Sequence, residues 1–211
     1  LQYYTDRPEN SFVANGLLNI VALREEYTGT DGLRYYTSAR MRTLHKGDWK
    51  YGRFEIKAIL PYGQGLWPAI WLLPTEWKYG GWPASGEIDI MELLGHETDK
   101  VYGTIHYGGT PPNNVHSGGS YRSLSSSFAG SFHVFRFDWE ENEMRWYVDD
   151  KLYLTQKNWY TNGHEYPAPF DQLFHMILNV AVGGNWPGNP TIATQFPQVM
   201  QVDYVRVYQK K

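Results

Sequence analysis

One all-β domain, a sandwich or barrel of antiparallel strands, is what this chain predicts, and three observations predict it. Apolar and polar residues alternate with period two in run after run, the signature of half-buried strands. Between the runs lie turn-forming clusters such as PYGQG, GGTPPNN, HSGGS and GGNWPGNP. No segment of a dozen residues carries an apolar stripe at the 3.6-residue spacing of a helix. Short strands at close, fairly regular spacing, with turn signals between them, make a sandwich or a barrel.

The runs follow in order. LLNIVAL (17–23) comes first. In RFEIKAIL, Phe54, Ile56, Ala58 and Leu60 share one face against Arg53, Glu55 and Lys57. In GLWPAIWLL, Trp67, Ala69 and Trp71 share a face while Ile70 and Leu72 take the other. KVYGTIHY alternates Thr104 and His106 with Ile105, and FHVFRFDW (132–139) follows. In MRWYVDDKLYL, Met144, Trp146 and Val148 oppose Arg145, Tyr147 and Asp149, and Asp149-Asp150 sits where a tight hairpin turn belongs. FHMILNVAV (174–182) and VDYVRVY (202–208) close the chain. No linker, low-complexity tract or internal repeat divides the 211 residues.

Bulk properties narrow the function. A net charge of −3 carries no basic footprint for nucleic acid or for an anionic membrane. No apolar run approaches the roughly 18 residues of a membrane span. With no cysteine there is neither a disulfide framework nor a thiolate zinc site. The unusual number is 9 Trp and 17 Tyr, more than a core of this size needs. Exposed aromatic faces stack on flat, weakly polar ligands such as sugar rings. Several strands carry aromatic and polar groups on one face, which suggests a groove across one sheet, although two core tryptophans read the same way.

The chemistry sits in SGEIDIMELLG, residues 85–95. By parity Glu87 and Asp89 share a face while Ile88 and Ile90 take the other, and strict alternation would place Glu92 with the isoleucines. An ionised carboxylate unpaired between sheets costs several kcal/mol or more. A β-bulge with Met91 as the inserted residue resets the alternation and returns Glu92 to the face of Glu87 and Asp89. Three acids in a row repel one another and do not make a calcium cage. They do fit glycoside hydrolysis, in which one carboxyl attacks the anomeric carbon and another protonates the leaving oxygen. Like-charge crowding helps to keep one of them protonated. Spacing alone does not say which glutamate does which job.

GEIDIMELLG resembles the signature of glycoside hydrolase family 16 in its bulged E-x-D-x-x-E form. The likeness extends through LQYYTDRPENSFVANGLLNIVA, YTSARMRT, WKYGRFEIKAILPYGQGLWPAIWLLP, WPASGEIDIMELLG, GTIHYGG, FHVFRFDW and VDYVRVYQ, and is greatest to the bacterial laminarinase branch, endo-β-1,3-glucanases. The resemblance implies a concanavalin-like β-jelly-roll sandwich with its cleft on the concave sheet, and a single catalytic domain over residues 1–211. It further implies Glu87 as nucleophile, Glu92 as acid/base and Asp89 assisting Glu87. Trp82 and Trp71 would line the donor side, and Arg53 would bind a hydroxyl near the nucleophile. His106 would sit on the leaving-group side near Glu92. Trp186, Trp67 and Asn10 would be further sugar contacts. Each has a plainer reading: Arg53 neutralising acids, His106 as a structural histidine, Trp67 in the core, Asn10 serving the backbone of a turn.

Relatives carry one or two strands before the segment matching LQYYT, so the chain is expected to lack them. Asp203 matches one ligand of a structural calcium site in such relatives, whose other ligands precede that segment. No cofactor is expected for catalysis, with structural calcium as an option. The expected partner is a β-glucan chain, with neither nucleic acid nor membrane, and the protein is expected to be a secreted monomer. The rivals are mixed-linkage β-1,3-1,4-glucan, agar or carrageenan as substrate, and a non-catalytic glucan-binding module.

Overall fold

Period-two alternation becomes sixteen strands and no helix in the computed structural model, which describes residues 1–211. In chain order these are β1 (Gln2–Tyr4), β2 (Ser11–Ala14), β3 (Leu17–Gly29), β4 (Gly32–Ser38), β5 (Arg40–Arg42), β6 (Asp48–Trp49), β7 (Gly52–Ile59) and β8 (Leu66–Pro74). The second half holds β9 (Glu87–Leu93), β10 (Lys100–Gly108), β11 (Asn114–Arg122), β12 (His133–Glu140), β13 (Glu143–Val148), β14 (Lys151–Gln156), β15 (Phe174–Val182) and β16 (Gln198–Tyr208). They form two sheets. The first has nine strands in the order β1-β4-β3-β16-β7-β12-β13-β14, with β2 added to β3. The second has seven, β11-β10-β9-β8-β15-β5, with β6 added to β15.

Pairing is antiparallel throughout except between β1 and β4, a departure from the purely antiparallel expectation. Parallel neighbours need a crossover of a dozen or more residues, and β2 and β3 supply it here. The Asp149-Asp150 turn forms as expected between β13 and β14, with both residues at positive φ, 47° and 65°.

The core lies between the sheets and is built from the apolar face of each alternating run. Phe54, Ile56 and Ala58 of β7 meet Phe135, Phe137 and Trp139 of β12 and Met144, Trp146 and Val148 of β13, all buried. Facing them are Ile70 and Leu72 of β8, Ile88 of β9 and Val101 and Ile105 of β10, also buried. Trp139, Trp146 and Trp159 are buried, while Trp77, Trp82 and Trp186 are exposed. The aromatic excess is therefore partly at the surface. No helix is long and apolar enough to cross a membrane.

Candidate active site

Strand β9 lies near the middle of the seven-stranded sheet, between β8 and β10. Ile88 points into the core, so Glu87 and Asp89 point out of it. Beyond Asp89 the register breaks on both sides. On β8, Trp71 pairs with Asp89 and the next residue, Ile70, pairs with Met91; on β10, Thr104 pairs with Asp89 and Tyr102 with Glu92. The bulge is real: Ile90 has no partner on either flanking strand, and Met91, the residue the spacing suggests, has none on β10 but pairs with Ile70 on β8. Ile90 and Met91 both turn into the core, 2% and 0% exposed, and Glu92 returns to the face of the other two acids.

Two features of the opposite sheet and of the neighbouring strand fix this irregularity. Trp146, on β13 across the core, donates its indole N–H to the backbone carbonyl of Asp89 at 2.9 Å. Gly103 on β10 faces the bulge, where a Cβ would stand 2.6 Å from Trp146 Cδ1. Trp146→Phe should leave the Asp89 carbonyl unsatisfied in the core and lower stability by roughly 1–3 kcal/mol. Denaturant unfolding with an unchanged midpoint would remove Trp146 from this role.

Glu87 and Glu92 each have their own indole. Trp82 Nε1 donates to Glu87 Oε2 at 2.8 Å, and Trp67 Nε1 donates to Glu92 Oε1 at 3.0 Å. His106, opposite Glu87 on β10, places Nε2 3.2 Å from Asp89 Oδ2 and 3.8 Å from Glu87 Oε1. It therefore belongs beside Glu87 and Asp89 rather than at Glu92, because its cross-strand partner is fixed by the register before the bulge. Trp186 packs edge-on against Trp67, centroids 5.5 Å apart, and against Tyr102 at 4.9 Å, forming an aromatic wall on the Glu92 side. Trp71 donates to Asn179 Oδ1 at 2.7 Å and carries the Arg40 guanidinium 4.6 Å over its ring. A hollow of about 370 Å³ borders Arg40, lined also by Tyr4, Arg42, Leu73, Trp77 and His175 among others.

Burial raises all three carboxyls above their ordinary values, but unequally. Glu92 is pushed well up by burial and then by the charge of Asp89, with Trp67 pulling partly back. Asp89 is pushed well up by burial and by Glu87. Glu87 is also raised by burial, yet the nearby His106, Trp82 and Arg40 all favour its ionised form. The geometry thus prepares one carboxyl to keep its proton and another to lose it, the division of labour that acid/base chemistry needs. Trp67→Phe removes the donor that favours ionised Glu92, so the alkaline limb of kcat/KM is expected to move to higher pH. A shift to lower pH would contradict this assignment.

Three residues fall elsewhere. Arg53 alternates with core Phe54 and so faces outward from the nine-stranded sheet, on the far side of the sandwich from the acids. There it forms a two-pronged pair with Asp138 at 2.9 and 3.1 Å. A concavity of about 610 Å³ beside it is a groove in that ion-pair network, remote from the acids. Asn10 is fully buried, donating to the Val21 carbonyl and to Thr37 Oγ1, both at 3.0 Å, so it ties β2 to β3 and β4 instead of meeting sugar. Asp203 pairs with Lys57 at 2.8 Å on the nine-stranded sheet. Sequence reasoning missed Arg40, Asn179 and Tyr102; YTSARMRT contained Arg40, but its nearness to Trp71 depends on β5 and β8 both flanking β15.

Indole-held carboxyls of divergent acidity on the open face of a β-sandwich define a glycoside hydrolase using two carboxyl groups. The chain belongs to glycosyl hydrolases family 16, whose family model matches residues 5–206. Glucan endo-1,3-beta-glucosidase A1 of Niallia circulans is 44% identical over 220 residues, covering 100% of this chain and 32% of the relative. The Beta-glucanase of Rhodothermus marinus is 47% identical over 219 residues, covering 99% and 73%. This chain therefore spans about a third of the first relative's length and nearly three quarters of the second's. Among solved structures, the laminarinase catalytic domain of Thermotoga maritima MSB8 aligns with a TM-score of 0.88 at 44% identity, covering 100% of this chain and 84% of that one. The jelly-roll sandwich is thus the architecture of this chain.

Proposed function

We propose that residues 1–211 form a single catalytic domain that hydrolyses internal β-1,3-glucosidic bonds of laminarin-type glucan with retention of configuration. The observation that carries the reaction is the unequal environment of Glu87 and Glu92 on one strand face. Similarity to endo-1,3-glucanases and laminarinases supports the choice of substrate. Protonated Glu92 gives its proton to the glycosidic oxygen while ionised Glu87 attacks the anomeric carbon, forming a glycosyl-enzyme. Glu92, now a carboxylate, removes a proton from water, which attacks the same carbon and releases Glu87. Asp89, whose neutral form burial favours, stands beside Glu87 and assists it as the covalent bond forms and breaks. No cofactor enters this chemistry.

Aromatic surface on both sides of the acids, Trp71 and Trp82 on one side and Trp67 and Trp186 on the other, lets a chain run through the site, which suits endo cleavage. A polymeric substrate supports a secreted enzyme as the reading. One copy of the chain carries all three acids, so a monomer suffices for the reaction. A glucan-binding module would need neither Glu87 nor Glu92.

The test is reducing-sugar release from laminarin, mixed-linkage glucan, agarose and carrageenan, with the products sized by chromatography. Cleavage of laminarin to short oligosaccharides, with at most a side activity on mixed-linkage glucan, is the expected result. Preference for agarose or carrageenan, or silence on all four from a folded protein, would overturn the substrate assignment.

A further inference from the structure

Glu87, Asp89 and His106 place one donor atom each within 4.8 Å of one another, two carboxylate oxygens and one imidazole nitrogen. The pair at the centre is close to what a metal ion requires. Zn–N and Zn–O bonds of roughly 2.0–2.1 Å set tetrahedral ligand atoms about 3.3 Å apart. His106 Nε2 and Asp89 Oδ2 are 3.2 Å apart, and Glu87 Oε1 is 3.8 Å from the same nitrogen.

A second observation is independent of spacing. Asp89 is 3% exposed, and its Oδ2 has no hydrogen-bond partner even though the imidazole nitrogen stands so near. The ring edge is not aimed at this oxygen as a donor. Nitrogen and oxygen stand 3.2 Å apart without a hydrogen bond, and a cation bound to both would satisfy the oxygen that the protein leaves unpaired. Electrostatics favour it too. Glu92 adds a third carboxyl nearby, and a dication would join Arg40 in offsetting the charge these groups carry.

We infer that this strand face is a binding site for a borderline transition-metal ion, Cu²⁺ or Zn²⁺, held by Glu87, Asp89 and His106, and that the ion shuts the cleft to glucan. The donor set selects the metal. One imidazole with two carboxylates suits Cu²⁺ and Zn²⁺, with Cu²⁺ the tighter, whereas Ca²⁺ needs six to eight oxygens and finds too few. A bound ion takes both the attacking carboxylate and the carboxyl that steadies it, so hydrolysis stops and substrate and metal exclude each other. This inhibitory half rests on the proposed role of Glu87; the site itself does not.

Calorimetric titration of the purified chain with ZnCl₂, and Cu²⁺ electron paramagnetic resonance, read binding without reference to activity. One saturable site is expected, with a nitrogen signature in the Cu²⁺ spectrum and no matching site for CaCl₂. Affinity should fall in His106→Ala by more than the roughly tenfold that losing even a supporting partner of a metal site brings. Glu87→Gln, which keeps the shape of the side chain, should weaken binding in the same way, and circular dichroism checks that both variants fold. No saturable binding would overturn the site, and equal affinity in wild type and both variants would overturn it and point to other surface histidines. Zinc should raise the KM for laminarin with kcat unchanged. Binding that depends on His106 but leaves KM unmoved would overturn the inhibitory half. Metal binding intact in a protein inert on every glucan would overturn the glucanase reading and leave the site standing.

Discussion

Replacing Glu87 with alanine is expected to lower kcat on β-1,3-glucan by a factor on the order of 10⁴–10⁶, the scale seen when a covalent nucleophile is removed. The fold should survive, because the Glu87 side chain faces the cleft and its main partners are Trp82 and His106. Its raised pKa also means that burying it does not help stability at neutral pH. A rescue experiment then identifies the role as well as the loss. With an aryl β-glucoside carrying a good leaving group, azide should enter the space that Glu87 vacates and attack the anomeric carbon from that side. The product would be the α-glycosyl azide. Near wild-type turnover in Glu87→Ala, or a β-glycosyl azide, would transfer the nucleophile's role to another carboxyl.

Glu92→Gln should have two effects of opposite value. On polysaccharide, kcat should fall by about 10²–10⁴, the usual contribution of a positioned proton donor. On an aryl glycoside that needs no protonation to depart, the first step should be nearly unaffected. An equal loss on both substrates would argue against an acid role. The stability effect follows from the direction of the shift. Glu92 in the folded protein ionises well above its ordinary value of 4.5, because burial and Asp89 disfavour the charge. Its contribution to stability is therefore fully present below about pH 4.5 and is lost as the pH rises through the raised value. The neutral amide does not suffer this loss. The variant should melt higher than wild type at pH 7 and above, and the two should converge near pH 4. Each unit of raised pKa corresponds to about 1.4 kcal/mol. In a chain of this length, that is a gain of about 2–6 °C in Tm. A lower Tm for Glu92→Gln at pH 8 would mean that the carboxylate is stabilised by partners beyond Trp67.

How far the strand could be read from its letters is clearest in GEIDIMELLG. Parity alone placed Glu87 and Asp89 together, and the cost of a buried charge required a bulge before Glu92. Which residue the bulge leaves unpaired was not legible. Ile90 and Met91 are both apolar and both enter the core, so the choice depends on where Ile70 and Tyr102 fall on the flanking strands. Arg53 was misplaced for a different reason. Its motif neighbours suggested the cleft, but its alternation with Phe54 fixed only that it points away from the core. Either sheet offers such a face, and β7 belongs to the one without the acids. The resemblance set His106 near Glu92, but its cross-strand partner is Glu87, which lies before the bulge.

The sequence by itself determined the strands, their buried faces, the hairpin at Asp149-Asp150, the three cleft acids and the family to which they belong. These depend on near neighbours along the chain, where a period of two and the price of burying charge leave few alternatives. Tertiary structure decided which strands became neighbours, and so everything that acts across them. It brought Trp146 through the core to hold the bulge and set Trp82 and Trp67 on separate glutamates. It also carried Arg40 to Trp71 and sent Arg53, Asn10 and Asp203 to partners far from the cleft. Pairings such as β16 between β3 and β7 join residues far apart in sequence, and no local pattern encodes them. The acids supply the reactive groups, and their unequal acidity comes from neighbours that only the assembled sheets provide.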